Sequence, residues 1–302
     1  MLNKVIIGIP TFNRQQKCWQ LLVKLSSIDK IFESVQIVVV DNSTNNPDEL
    51  YWKIINSKIS EGIIYFHNGE NKGLDYSILR LINFAKKNYS KIWLLSDDDE
   101  IFLDQLLGFV SFIKDSKSPV NLCNFEIDNN NRKKPSSKML SGLNKKEAYK
   151  RASFFPVIAI DPKNLDTDRL SHLCGSNYIH LAVMNSLISS CQEINLYSKI
   201  VGIQNIVSDL NFNIKDTFIK GYFKCISWNN IISIDEIKSE ACLRIKGYIG
   251  AIIKRKVTIK KTSSYEIVST SFFIFKYFGF ANFLVLLPRL LVWFILNFFK
   301  II

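Results

Sequence analysis

The sequence predicts an α/β protein whose sheet is mostly parallel and carries helices on both faces. Short runs of β-branched and apolar residues alternate with amphipathic helical segments over the first third of the chain. Strands that are separated by helices are joined by crossover connections, which favour parallel pairing. The 302 residues suffice for one large domain and an appended segment.

The predicted elements follow from these periodicities in chain order. Four apolar runs are expected to form strands: Val5–Ile9, Val35–Val40, Ile63–Phe66 and Lys91–Leu95. Three segments with an apolar stripe are expected to form the intervening helices: Gln15–Ser27, Pro47–Ser57 and Leu74–Lys87. Farther along we expect a polar surface loop, a strand and a helix, at Asn129–Ser141, Val157–Ile160 and His172–Ser190 respectively. The pattern from Asn195 to Asn230 predicts no element.

A polar cluster lies at the end of each of the first three strands or in the loop after it, and another follows the fourth. In a doubly wound sheet, ligands bind beyond the carboxyl ends of the strands. Four clusters at this edge therefore predict a ligand site there. The clusters are Pro10-Thr11-Phe12-Asn13-Arg14, Asp41-Asn42-Ser43, Asn71-Lys72-Gly73 and Asp97-Asp98-Asp99.

Asp97, Asp98 and Asp99 form the most specific of these clusters. Three adjacent carboxylates repel one another unless a cation offsets their charge. Hard cations such as Mg²⁺ and Mn²⁺ prefer carboxylate oxygens and bridge to phosphates. The alternative is a solvated turn or a helix N-cap. Because the cluster follows an apolar strand, a metal site is the favoured interpretation.

Three other residues each have two interpretations. Asp41 can accept a hydrogen bond from a base or a ribose, or it can form an Asx turn. Gly73 can admit a phosphate, or it can end the loop before the next helix. Arg14 can pair with a phosphate, or it can be an ordinary surface residue.

In this order and spacing, the clusters resemble the signatures of family 2 glycosyltransferases, in particular bacterial O-antigen enzymes of the abequosyltransferase-like group. The resemblance is carried by Ile9–Arg14, Val38–Ser43, Asn71–Gly73 and Leu94–Asp99. It is strong over residues 1–125 and weaker over 150–200, where Gly175–Leu181 is similar to that group's acceptor-side segment. It implies a GT-A fold and an inverting transfer of a sugar from a nucleotide-sugar donor.

The resemblance also implies the roles of particular residues. Asp99 would hold Mn²⁺ or Mg²⁺, with Asp97 as a further metal ligand. Asp41 would contact the base, and Asp97 and Asp98 would contact the ribose and the diphosphate. The complete set of nucleotide-binding residues would be Pro10, Thr11, Asn13, Arg14, Asp41, Asn42, Asn71, Gly73, Asp97 and Asp98.

The sequence does not select a catalytic base. Many members of the family carry a Glu-Asp pair after the middle strands, and no such pair stands between residues 150 and 220. His180 could be this base or a histidine in a helix core. The candidates are Asp209, His180 and Glu193, together with Asp161, Asp166 and Asp168.

Charge and cysteine content bear on partners and compartment. A net charge of +12 favours phosphorylated ligands, anionic lipid or nucleic acid, or it serves solubility alone. The six cysteines form no C-x-x-C pair, which indicates reduced thiols in a reducing compartment. Residues Met1–Pro10 lack the long apolar core of a signal peptide.

The last part of the chain predicts an association with a membrane surface. Ser271–Ile302 is apolar and aromatic, but Pro288 and Arg289 interrupt it. The charge-free stretch Tyr277–Leu287 is shorter than the length of about 20 residues that a helical span needs, so an interfacial anchor fits better. The basic cluster Lys254–Lys261 would face anionic headgroups. A core helix hairpin or an oligomer contact would explain the same composition.

Together these features predict two parts of the chain. A glycosyltransferase domain would occupy residues 1–230, with a nucleotide-binding half at 1–125 and an acceptor-side half at 126–230. A basic and apolar helical extension would occupy 231–302. The expected acceptor is a hydroxyl of a lipid-linked saccharide in bacterial surface polysaccharide synthesis, at the cytoplasmic face of the inner membrane.

Other classes of protein fit the sequence less well. A nucleotidyltransferase would carry a glycine-rich loop at Pro10–Arg14, and this segment has no glycine. A Rossmann dehydrogenase would need G-x-G-x-x-G at the same place. A nucleic-acid-binding protein would show a zinc finger, an RRM signature or a recognition helix, and none is visible. We therefore expect no nucleic-acid partner.

Overall fold

The computed structural model divides into two compact units, Met1–Asn205 and Ile206–Ile302. The boundary predicted at residue 230 stays a prediction. The residues described are 4–45, 48–88, 90–127, 148, 151–152, 154–189, 194–204, 209–210, 221–230, 258–259, 271, 284, 286–288 and 290–291.

The first unit contains an eight-stranded mixed sheet. Its strands lie in the order β3-β2-β1-β4-β7-β6-β8-β5. In chain order they are β1 (Val5–Thr11), β2 (Val35–Asp41), β3 (Ile63–His67), β4 (Ile92–Leu94), β5 (Glu100–Ile101), β6 (Val120–Ile127), β7 (Ile158–Ile160) and β8 (Asn195–Gln204). The four strands β3, β2, β1 and β4 are parallel. Beyond β4 the sheet is mixed, because β7 runs antiparallel to both β4 and β6 and β5 runs antiparallel to β8, whereas β6 and β8 are parallel. Four of the seven strand pairs described in this sheet are therefore parallel, as the sequence predicts.

Seven α-helices of this unit have both ends among the described residues. They are α1 (Gln15–Ser26), α2 (Ile31–Ser34), α3 (Glu49–Ile55), α4 (Leu74–Lys87), α5 (Leu103–Asp115), α6 (Thr167–Ser171) and α7 (Ile179–Ile188). Helix α4 packs against β1 and β2 with its buried stripe Ile78, Leu81, Ile82 and Ala85. These positions recur at i, i+3, i+4 and i+7, so they form one apolar face of the helix.

The register of the parallel strands positions the polar clusters. Thr11, the last residue of β1, pairs with Asp41, the last residue of β2. Asp41 in turn pairs with His67, which ends β3. Strand β1 is buried throughout, and β2 is buried at every position except Gln36, so the polar side chains that end these strands lie together at one edge of the sheet.

The predicted helix His172–Ser190 begins only at Ile179, and this is a correction. Gly175 has a φ of 90° and Asn177 a φ of 61°, and both values lie outside the right-handed helical region. The sequence also missed α5, β6 and β8. The predicted loop Asn129–Ser141 lies outside the described residues.

Four short elements of the second unit have both ends among the described residues. Strands β9 (Asp209–Leu210) and β10 (Thr258–Ile259) are parallel partners. Helix α8 (Tyr222–Ile226) precedes a 3-10 turn at Trp228–Asn230. Most of the predicted membrane tail and basic cluster lies outside the described residues. Within the part that is described, no helix combines the length and the apolar character needed to cross a bilayer.

Candidate active site

A hydrogen bond joins the ends of β1 and β4 at the centre of the candidate site. Thr11 Oγ1 donates to Asp97 Oδ2 at 2.6 Å, and both residues are buried. Strand β1 lies between β2 and β4, so this bond places the aspartate cluster beside the residues that end β2. The structure therefore brings together Thr11, Asp41 and Asp97, as the sequence predicts.

Arg14 neutralises part of the aspartate cluster. Its Nη1 lies 3.2 Å from Asp97 Oδ1 and donates to Asp98 Oδ2. Ser96 Oγ donates to the other oxygen, Asp98 Oδ1, at 2.5 Å. The guanidinium side chain is 41% exposed, whereas the Asp97 side chain is 1% exposed. Because one cation faces two neighbouring carboxylates, their mutual repulsion is reduced.

The environment of Asp97 opposes its ionisation. Burial raises the pKa of Asp97 from 3.8 to about 6. The charge of Arg14 and the hydrogen bond from Thr11 act in the opposite direction, and the nearby Asp98 adds to the rise. A cation that reached this carboxylate would favour its charged form.

The predicted metal ligands Asp99 and Asp97 stay a prediction. Among the residues that the structure describes, no three His, Cys, Asp or Glu side chains are grouped so that they could hold a metal ion. Mg²⁺ bound beside phosphates needs only one or two protein carboxylates, because phosphate oxygens and waters complete its shell. The buried carboxylates of Asp97 and Asp99, in a cluster that already attracts one cationic side chain, fit such a site in their donor chemistry.

Asp41 is fully buried and accepts two hydrogen bonds. Ser43 N donates to Asp41 Oδ1 at 2.7 Å, which is the Asx turn that the sequence offered as one interpretation. Tyr65, on β3, donates its hydroxyl to Asp41 Oδ2 at 2.9 Å. Burial, followed by the charge of Asp41, raises the pKa of Tyr65. The contact of Asp41 with a nucleobase stays a prediction.

Asn13 ties the loop after β1 to the loop after β2. Its Oδ1 accepts from Thr44 N at 3.0 Å and from Asn45 N at 3.2 Å. Its backbone N–H donates to Ser43 Oγ at 2.9 Å. Asn13 has a φ of 51°, a left-handed conformation that asparagine tolerates better than most residues. Pro10, which precedes this loop, lies within β1 opposite Val40.

Asn42 joins the end of β2 to the start of α4. Its Nδ2 donates to Gly73 O at 3.1 Å and to Ser77 Oγ at 2.8 Å. Asn68 Nδ2 donates to Asn42 Oδ1 at 2.5 Å. Asn71 Oδ1 accepts from Gly73 N at 3.0 Å, and Gly73 has a φ of 83°. The predicted residues Asn42 and Gly73 are therefore in direct contact, and Asn71 shapes the same turn.

The candidate bases lie in different environments, and none is selected by its geometry. His180 is buried, with ring centroids of Phe155 and Tyr178 at 6.0 Å and 5.8 Å, so an acceptor hydroxyl would reach it only after local movement. Asp209 lies in β9 of the second unit. Glu193 lies outside the described residues.

The weaker base candidates are surface or turn residues. Asp166 Oδ1 caps α6 by accepting from Arg169 N at 3.1 Å. Asp161 Oδ1 accepts from Lys163 N at 3.1 Å, and Asp168 is exposed. The first two carboxylates therefore have local structural roles.

Three residues at the site were missed by the sequence reasoning. Tyr65 contacts Asp41, and Cys18 lies close enough to Asp97 and Asp41 for their charges, after burial, to raise its pKa. The third is Asp75, a buried carboxylate in the first turn of α4. A signal for Asp75 was present, because it falls on the stripe that continues with Ile78, Leu79 and Ile82.

Comparisons with solved structures concern the fold. The first 349 residues of S. aureus TarS match with a TM-score of 0.53 and 18% identity, over 80% of this chain and 65% of that one. The same protein in complex with UDP matches with a TM-score of 0.54 and 17% identity, over 92% of this chain and 73% of that one. These likenesses support the expected GT-A type of fold.

Comparisons of sequence identify the family. Abequosyltransferase RfbV of Salmonella typhimurium is 27% identical over 115 residues, which are 38% of this chain and 34% of the relative. The chain thus spans about a third of the length of this curated relative. Residues 6–170, more than half of the chain, match the family described as Glycosyl transferase family 2. This match includes Thr11, Arg14, Asp41 and Asp97, so the chain belongs to the family 2 glycosyltransferases.

Proposed function

We propose that the chain is a glycosyltransferase that moves a sugar from a nucleotide-sugar donor to a hydroxyl of a saccharide acceptor. The observation that carries this proposal is the set of side-chain contacts at the edge of the sheet where β1, β2 and β4 end. There, Thr11 contacts Asp97, and Arg14 pairs with Asp97 and Asp98. Membership of the family supports the same class of reaction.

The donor would lie along this edge, with its base toward Asp41 and its diphosphate toward the aspartate cluster. Arg14 is the half-exposed cation in this cluster, so it can turn from the carboxylates to phosphate oxygens. Gly73, which has no side chain, leaves room for a phosphate beside the first turn of α4. TarS has been solved with UDP and with UDP-GlcNAc, which favours a uridine nucleotide as the first donor to test.

Asp99, with Asp97, would hold Mn²⁺ or Mg²⁺. A divalent cation bound there would neutralise charge on the leaving diphosphate. Asp97 would contribute in its charged form, which its burial disfavours even beside Arg14 and which a bound divalent cation would favour. Thr11 would keep the Asp97 carboxylate oriented through its hydrogen bond.

Transfer would proceed with inversion at the anomeric carbon. The acceptor hydroxyl would attack from the face opposite the diphosphate, and a base would remove its proton. Asp209, His180 and Glu193 remain the candidates for this base. We further propose a lipid-linked saccharide acceptor of O-antigen type and a peripheral or monotopic location at the cytoplasmic face of the bacterial inner membrane. The basic charge and the apolar tail of the sequence support the membrane location.

A donor screen tests this proposal. The purified chain is mixed with a panel of nucleotide sugars and Mn²⁺ or Mg²⁺, and the release of nucleoside diphosphate is measured. Thermal shift with UDP, GDP and CDP measures binding separately, since a ligand of the folded state raises the melting temperature. We expect one nucleotide to stabilise the protein and duplex DNA not to. Stabilisation by DNA alone, with no nucleotide released from any donor, would refute the transferase.

A further inference from the structure

Asp75 is a buried carboxylate that joins two helices distant in sequence. It lies in the first turn of α4 and is 2% exposed. Its Oδ2 accepts from Ser176 Oγ at 3.0 Å and from Asn177 N at 2.7 Å. Its Oδ1 accepts from Ile179 N at 3.2 Å, the first backbone N–H of α7. Asp75 therefore caps α7 from another helix.

These hydrogen bonds offset an unfavourable burial. Removing a carboxylate from water is costly unless donors replace the lost hydration. Burial raises the pKa of Asp75 from its usual 3.8, and the donors from Ile179, Asn177 and Ser176 act to lower it. The carboxylate of Asp75 and the groups that donate hydrogen bonds to it thus hold one another in place.

The segment that Asp75 holds has an unusual backbone. Gly175 and Asn177 have positive φ values, of 90° and 61°. Such a turn needs contacts from the surrounding structure to keep a single conformation. Asp75 supplies two of these contacts through Asn177 N and Ile179 N. The conformation of residues 175–180 therefore depends on where the first turn of α4 lies.

The same turn of α4 is also held by Asn42, from the side of the site where the nucleotide sugar would bind. Asn42, which follows Asp41, donates to Gly73 O and to Ser77 Oγ, two residues before and two residues after Asp75. A continuous path of hydrogen bonds thus runs from the end of β2 through the start of α4 to the start of α7.

We propose that Asp75 is a positioning residue that couples the donor side of the site to the segment 175–180. This inference rests on the proposed function, which places the donor along the edge that includes Asp41 and Gly73, and on the resemblance of Gly175–Leu181 to an acceptor-side segment. A nucleotide that orders the loop before α4 would then also order the start of α7, so that the acceptor side is formed when the donor is present.

Hydrogen–deuterium exchange of the full chain, without and with nucleotide, tests the coupling. The probe is whichever of UDP, GDP and CDP, with Mn²⁺, binds most tightly by calorimetry. In the wild type we expect the nucleotide to slow exchange in a peptide covering residues 175–182. In Asp75→Asn without nucleotide, exchange at this peptide should be about tenfold faster, while the β1 and β2 peptides stay unchanged. The nucleotide should bind with a Kd within about threefold of wild type, yet no longer protect 175–182.

Two further variants make the result decisive. Ser176→Ala removes the hydroxyl that donates to Asp75 and accepts from Tyr178 N, and it should weaken the protection partly, which keeps the test available if Asp75→Asn fails to fold. Asp104→Asn makes the same chemical change in the first turn of α5, where the side chain is exposed, and should behave as wild type.

The outcomes separate the coupling from the proposed function. Protection of 175–182 that survives in Asp75→Asn, or that is absent in the wild type despite nucleotide binding, would overturn the coupling and leave the transferase standing. If calorimetry detects no nucleotide binding, the proposed function fails, and the coupling is rejected with it.

Discussion

The hydroxyl of Tyr65 donates a hydrogen bond to Asp41 Oδ2 at 2.9 Å, across the pair of strands β2 and β3. Asp41 has no exposed surface, so this bond and the one from Ser43 N set the direction of its carboxylate. The residue that is expected to read the nucleobase is thus oriented by a tyrosine on the neighbouring strand.

Tyr65→Phe should therefore weaken nucleotide binding. The change removes one hydrogen bond to a buried carboxylate, and we expect the free energy of unfolding to fall by about 1 to 3 kcal/mol. The Kd for the nucleoside diphosphate should rise, because Asp41 would no longer be held in one orientation. Urea unfolding and calorimetry measure the two effects. The control is Tyr51→Phe, since Tyr51 is 40% exposed and its ring, which the change keeps, packs against Tyr65. Equal Kd values for Tyr65→Phe and the wild type would show that Tyr65 has no part in binding.

The Asp97→Asn variant should gain stability relative to the wild type as pH rises. The folded-state pKa of Asp97, about 6, lies above its ordinary value of 3.8, so the folded protein retains this proton longer than the unfolded chain does. The contribution of Asp97 to stability is therefore fully present below pH 4 and is lost as pH rises through 6. Asparagine does not titrate, so the stability difference in favour of the variant should grow by about 2 to 3 kcal/mol between pH 4 and pH 7.

Denaturant unfolding in EDTA across this pH range measures that difference. EDTA is needed because a bound cation would stabilise the charged carboxylate of the wild type. Asp104→Asn, at an exposed position of α5, serves as the reference for a surface change. A stability difference that does not vary with pH would contradict the raised pKa of Asp97.

Asp99→Asn should remove most turnover while the protein stays folded. The change removes one carboxylate from a crowded cluster, so it relieves repulsion and should not lower the melting temperature. Activity should depend on added Mn²⁺ or Mg²⁺ in the wild type, and the variant should need a higher metal concentration. Steady-state rates over a metal titration provide the measurement. Full activity in EDTA would exclude the metal role of Asp99.

Truncation before Ser271 should weaken membrane binding to the electrostatic contribution of Lys254–Lys261, which high salt then removes. The apolar face of the tail would contribute roughly 25 cal/mol per Å² of buried area, and Lys254–Lys261 about 1 kcal/mol per charge near an anionic leaflet. High salt alone should release the full chain only partly, because the hydrophobic contribution is not screened.

Sedimentation with anionic vesicles compares the full chain with the truncated one. The truncated protein should keep activity on a soluble acceptor and lose most of it on a lipid-linked acceptor. A truncated protein that is misfolded and inactive on both acceptors would support the alternative of a core helix hairpin.

The sequence by itself determined the local elements of the first unit and the composition of its ligand edge. The apolar runs of β1 and β2 predicted these strands, and the structure buries them in the sheet. Helix α4 was predicted with its bounds because its apolar stripe repeats every three to four residues. The clusters around Thr11, Asp41 and Asp97 could be located because parallel strands bring their carboxyl ends to one edge.

Only the tertiary structure decided which side chains meet at that edge and what lies behind it. Asp75 and Ile179 are 104 positions apart, so no local sequence pattern predicts that Asp75 caps the helix that begins at Ile179. The antiparallel placement of β7 beside β4 likewise depends on pairing between distant segments. Sequence periodicity reports the neighbours of a residue along its own strand or helix, whereas hydrogen bonds such as Tyr65–Asp41 and Asp75–Ile179 exist only after the chain has folded.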